Sequence, residues 1–124
     1  MSYDQYTVDR IEQLIKESGQ PYFTKKMIGG LIFMVNDKMA CGTHFDKKQE
    51  VDLLMARIGE EAAEANMSRP GCQPMTFTGR TMKGFVFITP DGYDTDEDLA
   101  HWIGLCLDFN PFAKASKKLS LIHI

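Results

Sequence analysis

Leu31-Ile32-Phe33-Met34-Val35-Asn36-Asp37-Lys38-Met39-Ala40-Cys41-Gly42-Thr43-His44 is the stretch on which the fold turns. Its first five residues are an unbroken apolar run, bounded by Gly29-Gly30 before and Asn36-Asp37 after. A run that short, closed at both ends by turn residues, reads as a strand buried on both faces. Asn36-Asp37 suits a two-residue hairpin turn, less well than Asn-Gly would, and Lys38 to His44 then return antiparallel. Upstream, Tyr22-Phe23 lead into the strand, and Gly29-Gly30 permit a bend or a close backbone approach. Residues 22–44 are therefore predicted as β structure.

A strand with no polar face needs cover, and the flanking sequence offers amphipathic helices. Residues 4–18 place Val8, Ile11, Leu14 and Ile15 on one helical face. Ser2 or Asp4 can cap that helix, and Ser18-Gly19 with Pro21 stop it. Downstream, residues 51–58 alternate imperfectly as a third strand ended by Gly59, and 60–67 form a short helix turning Ala62, Ala63 and Met67 inward. Arg69-Pro70-Gly71 breaks it. Two more strands are predicted near 73–78 and 84–90, joined by a loop at 79–83, with a turn at Pro90-Asp91-Gly92. The last helix, 95–109, carries a capping-box signal in Thr95 and Asp98 and acids at its positive end. Its apolar stripe is Leu99, Trp102, Ile103, Cys106 and Leu107, and Asn110-Pro111 closes it. The order is α-β-β-β-α-β-β-α. Short connections favour antiparallel pairing, so the expected fold is α+β: one antiparallel five-stranded sheet with helices packed on it.

Bulk properties set the class. The 124 residues suffice for one domain, and 44% hydrophobic with 25% charged residues are globular values. A formal net charge of −3 argues against unaided, non-specific nucleic-acid binding. No apolar run approaches the roughly 20 residues of a membrane span, and Met1 to Arg10 is polar and acidic, unlike a secretory signal. The expectation is a cytoplasmic protein without membrane contact. Cys41, Cys72 and Cys106 contain no Cys-x-x-Cys pair, so they read as reduced structural thiols rather than a zinc site. The final hexapeptide, residues 119–124, is what a common transposon-end sequencing adapter encodes in frame. It is expected to be a non-native tail, leaving residues 1–118 as the domain.

Chemical motifs fare poorly against simpler readings. Gly79-x4-Gly84 lacks the Lys-Ser/Thr that a phosphate loop needs after its second glycine, because Phe85 and Val86 follow; it reads as a hairpin turn. Asp91, Asp94, Asp96, Glu97 and Asp98 lack the calcium-loop spacing and read as a solvated helix start. His44 and His101 have no metal-spaced companion. Cys41 and His44, three apart on a strand, point to opposite faces and cannot act as a nucleophile pair. The abundant methionines beside the strands read as core filling, or as a plastic interaction surface.

Several segments nevertheless look familiar. Lys26-Met27-Ile28-Gly29-Gly30, Phe33 and Asp37-Lys38-Met39 resemble the opening of the N-terminal domain of the TfoX/Sxy competence-regulator family. Leu54 to Gly59 resembles its third strand, and Leu99-x-x-Trp102-Ile103 its final helix. The most specific stretch is Pro74-Met75-x-Phe77-x-Gly79-Arg80-x-Met82-Lys83-Gly84-Phe85-Val86. Ile28, Asp37 and Thr81 depart from the usual Phe, Gly and Pro. The resemblance spans about residues 8–118. It implies a two-layer α-β-β-β-α-β-β-α fold and a part in regulating natural competence, which full-length members play with a second, C-terminal domain. It implies no catalytic residues.

The functional expectation is a non-enzymatic regulatory, protein-interaction domain. No catalytic, cofactor-binding or metal-ligating residue is assigned. The expected partner is an anionic protein surface, met by Lys25, Lys26, Arg57, Arg80 and Lys83 at strand ends and in the 79–83 loop. Scattered solvated charge is the plainer reading of the same residues. Two alternatives stand beside this. A small-molecule-binding domain or minor enzyme would need convergent polar groups in a pocket. Direct DNA binding by this domain alone is disfavoured, because the last helix opens with acids that repel phosphate. The oligomeric state is left open.

Overall fold

The computed structural model describes residues 4–27, 29–77 and 79–113. The expected non-native tail and the alternative cap Ser2 lie outside the described residues. Helix α1 (Gln5–Ser18) buries Val8, Ile11 and Ile15 and ends at Gly19 in the left-handed region. Four strands follow, β1 (Tyr22–Met27), β2 (Gly30–Val35), β3 (Lys38–Asp46) and β4 (Val51–Arg57), then helix α2 (Glu60–Asn66). Strands β5 (Cys72–Phe77) and β6 (Arg80–Ile88) precede a one-turn helix α3 (Pro90–Tyr93), the helix α4 (Asp96–Phe109) and a 3-10 turn, Asn110–Phe112. The strands form one six-stranded sheet in the order β1-β2-β3-β4-β6-β5, antiparallel throughout.

The α+β class and the antiparallel sheet match expectation; the five-strand count and the element order do not. The sixth strand is β1, which the sequence suggests only as a lead-in. Five of its six side chains are exposed, so no apolar alternation marks it. It exists because its backbone pairs with β2, from Tyr22 opposite Val35 to Met27 opposite Gly30. The expected 79–83 loop is also corrected. Strand β6 already begins at Arg80, and Thr76 and Phe77 pair with Thr81 and Arg80. Gly79, immediately before Arg80, sits at φ 78°. Between the Pro74–Val86 and Thr76–Thr81 pairs, a single β5 residue opposes Met82 to Phe85, so β6 bulges and bends there. The expected turn at residues 90–92 is the helix α3, started by Pro90 at a position where its missing N–H costs nothing.

Local chemistry explains the regular parts. Asn36 and Asp37 sit at φ 53° and 64°, the left-handed pair that a type I′ hairpin demands. The Thr95 hydroxyl accepts from the Asp98 N–H at 3.0 Å and starts α4. The Asp98 carboxylate turns instead to Arg69, at 3.4 Å.

Two apolar clusters lie on opposite faces of the sheet. On the helical side, Val8, Ile11 and Ile15 of α1 and Leu99, Trp102, Ile103 and Cys106 of α4 pack on Leu31, Phe33, Val35, Cys41, Leu54, Ala56, Val86 and Ile88. Trp102 is wholly buried, and its indole N–H donates to the Gly92 carbonyl at 3.0 Å. The other face buries Ile32, Met34, Leu53, Met55, Met75 and Phe87, all from strands. The sheet curls over this second cluster. His44 of β3 and Phe87 of β6 reach across β4 to stack with ring centroids 5.2 Å apart, although strands one apart in a flat sheet lie about 9.6 Å from each other.

Two strands approach unusually closely where glycines allow it. A Cβ on Gly30 would lie inside contact distance of the Thr43 carbonyl oxygen, while one on Gly104, in α4, would meet nothing within 4 Å. Gly30→Ala should therefore destabilise the domain by about 1–3 kcal/mol through forced strand separation. Gly104→Ala should stabilise it by about 0.5–1 kcal/mol through helix propensity. Urea midpoints of the two variants against the parent check both signs.

Candidate functional site

Arg80 and Lys83 lie on strand β6, and Arg57 faces that strand from the end of β4. Arg57 ends β4 and stands opposite Phe85, the residue at which β6 rejoins the sheet after its bulge. Its guanidinium lies 5.3 Å from the Phe85 ring centroid, and its Nη1 donates to the Met39 carbonyl at 3.4 Å. Burial pulls its pKa down, so its charge is partly stripped of water. Among the described residues the ion pairs are Arg10–Asp96 and Arg69–Asp98, so Arg57 has no carboxylate partner there. Arg80 and Lys83 lie exposed on the first half of β6, with Thr81 and Met82 between them. This hairpin half runs past the end of β4, because β4 pairs with β6 only from Phe85 onward.

Lys25 and Lys26 are placed differently. Both are exposed on β1, opposite Ile32 and Leu31. In the sheet order β2, β3 and β4 stand between β1 and β6, so these two lysines share no ladder with Arg80 and Lys83.

A second group of cations escaped the sequence reading. Lys47 and Lys48, in the turn after β3, line a cleft of about 490 Å³ with His44, Gln73, Thr76 and Phe87. The Gln49 side chain donates to that of Gln73 at 3.1 Å, leaning this turn toward the edge strand β5. The signal was present: a Lys-Lys dipeptide between a predicted hairpin return and the next predicted strand.

The other chemical candidates are dispersed. Cys41 is buried in the helix-side core, where a hydrogen bond with the Cys106 thiol and burial push its pKa up. His44 lies on the opposite face against Phe87, so the two do not meet. His101 Nε2 is 2.9 Å from the Asn66 side-chain oxygen, and burial followed by the nearby Arg69 charge lowers its pKa. Among the described residues no three His, Cys, Asp or Glu side chains are grouped to hold a metal ion. No described helix is long and apolar enough to cross a membrane.

One polar cluster ties α1 to the sheet. The Tyr93 hydroxyl donates to the Asp52 carbonyl at 2.7 Å, and burial and then the Asp52 charge push its pKa up to about 12. Arg10 donates to the Tyr93 and Asp94 carbonyls, at 3.3 and 3.0 Å. Asp52 Oδ1 is buried without a hydrogen-bond partner, and burial, reinforced by Asp4, raises the Asp52 pKa.

The class these features define is a small α+β scaffold with helices on one sheet face and exposed cations on a bent hairpin. Comparison with family models identifies it further: residues 13–110 match the TfoX N-terminal domain. The chain belongs to that family, and so in broad terms to its regulatory domains. No curated protein and no solved structure matches the chain.

Asp52 gives a pH test of the polar cluster. Its folded pKa lies above the unfolded value, so the folded state binds its proton more tightly. Its ionisation therefore weakens the fold as pH rises through the folded pKa. Asp52→Asn should raise stability at neutral pH, and the advantage should vanish below the unfolded carboxylate pKa of about 3.9. Urea unfolding of both proteins across that range measures it.

Proposed function

We propose that this domain is a non-enzymatic regulatory module of the cytoplasm that docks on an anionic protein surface. The bent β5–β6 hairpin is the contact, Arg80 and Lys83 are its polar anchors, and Arg57 adds flanking charge, while Lys25 and Lys26 lie apart on β1. Arg57 carries the reading. A guanidinium held over a ring, partly desolvated and without a carboxylate among the described residues, is prepared for an acceptor from outside. Arg80 and Lys83, exposed on the strand that carries Phe85, extend that positive ground on a protein of net charge −3. Such an arrangement speeds encounter and selects an acidic partner. Exposed Met82 supplies an adaptable apolar contact between the two anchors.

Membership of the family supports a part in the regulation of natural competence, exerted through protein contacts. The net charge and the acidic start of α4, Asp96 to Asp98, speak against DNA as the direct target.

The test is a double reversal, Arg80→Glu with Lys83→Glu, compared with the parent in affinity capture from host lysate read by mass spectrometry. The specific partner should be lost while stability shifts by no more than about 0.5 kcal/mol, as for exposed positions generally. Undiminished capture would place the contact elsewhere. Turnover of a metabolite by the purified chain would overturn the non-enzymatic reading.

A further inference from the structure

The sheet has two edges, β1 and β5, and they are built differently. Strand β5 carries Pro74, which has no N–H to offer, and its ladder slips between Pro74 and Thr76. Proline and a bulge are the devices by which proteins blunt an edge against further pairing. Strand β1 has neither. Its six residues pair one for one with Gly30–Val35, without a slip and without proline. In an antiparallel ladder alternate residues turn their N–H and C=O away from the neighbour. Among the described residues no strand pairs with that outer side, so β1 presents a regular row of donors and acceptors.

The side chains indicate what completes the row. Phe23, Lys25 and Met27 alternate onto one face, and Phe23 and Met27 are 45% and 37% exposed. Lys26 and Thr24 lie on the other face. A second copy of β1 would crowd the lysines of both strands together, and like charges across a pair destabilise it. A strand bearing carboxylates does the opposite.

We propose that β1 is a strand acceptor, taking an extended acidic segment of a partner protein as a seventh strand of the sheet. Backbone hydrogen bonds would supply the affinity. Apolar residues of the segment would pack on Phe23 and Met27, and the carboxylates on its other face would meet Lys26, with Lys25 adding to the positive field. The inference rests on the reading that this domain captures an anionic partner, and it assigns the partner's conformation and the edge that holds it.

The probe is a synthetic eight-residue peptide of alternating Glu and Val, blocked at both ends, added to the isotopically labelled chain. Amide exchange should slow at alternate residues of Tyr22–Met27. Lys25→Glu with Lys26→Glu should weaken binding by about tenfold or more. N-methylating alternate peptide amides should weaken it at least as much in one phase, the one whose N–H groups face β1, and far less in the other, since the charge is unchanged in both and only the first blocks the ladder. The Arg80→Glu, Lys83→Glu protein should still bind the peptide, which separates this edge from the hairpin contact. The proposal is overturned if protection appears elsewhere or if the N-methylated peptides bind equally well. It also fails if a Lys-Val peptide matches the acidic one, or if β1 is found occupied by a second copy in sedimentation and exchange. Loss of capture on hairpin reversal without any protection of β1 would leave the domain a binder and remove the edge from its mechanism.

Discussion

Strand β2 is buried along its whole length, on both faces, and the architecture answers that one constraint. Leu31, Phe33 and Val35 are covered by α1 and α4, an ordinary helix-on-sheet solution. Ile32 and Met34 face the other way, where the cluster contains strand residues alone. Keeping water from them requires the sheet to close over itself. The His44–Phe87 stack, the close approach at Gly30 and the bulged β6 all belong to that closure. The burial of β2 is thus what turns a flat antiparallel sheet into a curled one.

The same curvature decides where charge can go. With both faces of the central strands filled by apolar side chains, cations are left to the margins: the outer strand β1, the turn after β3, and the free half of β6. Arg57 is the exception that joins margin to core. Its stem passes into the sheet end while its head rests on Phe85.

Much of this was legible in the sequence, for reasons that differ by element. The β2–β3 hairpin was readable because an apolar run met turn residues able to adopt positive φ. Helix α4 was readable because its cap, its dipole charges and its stripe agree. Strand β1 was not, because it is held by backbone pairing while its side chains face water, and patterning records only side chains. Arg80 to Lys83 read as a loop for the same reason: four exposed residues in a strand leave no alternation. The candidate cations could be named from the chain, but not their placement. That placement depends on β6 entering the sheet between β4 and β5, a long-range fact that no local pattern encodes. Lys47 and Lys48 were overlooked because their significance lies in the cleft beside them.

Asn110 holds the end of α4 to the central hairpin. Its side-chain N–H donates to the Val35 carbonyl at 3.0 Å while its oxygen accepts from Asn36 at 2.8 Å, so the buried carboxamide has one permitted orientation. Asparagine is in general subject to a slow chemical ageing in which the next backbone nitrogen attacks the side chain and expels ammonia. Here the next residue is Pro111, whose ring nitrogen has no proton to lose. The cyclisation that begins this damage is closed off at an amide whose conversion to a carboxylate would set negative charge against the buried Val35 carbonyl. The proline after the helix thus protects the durability of the molecule as well as ending the helix.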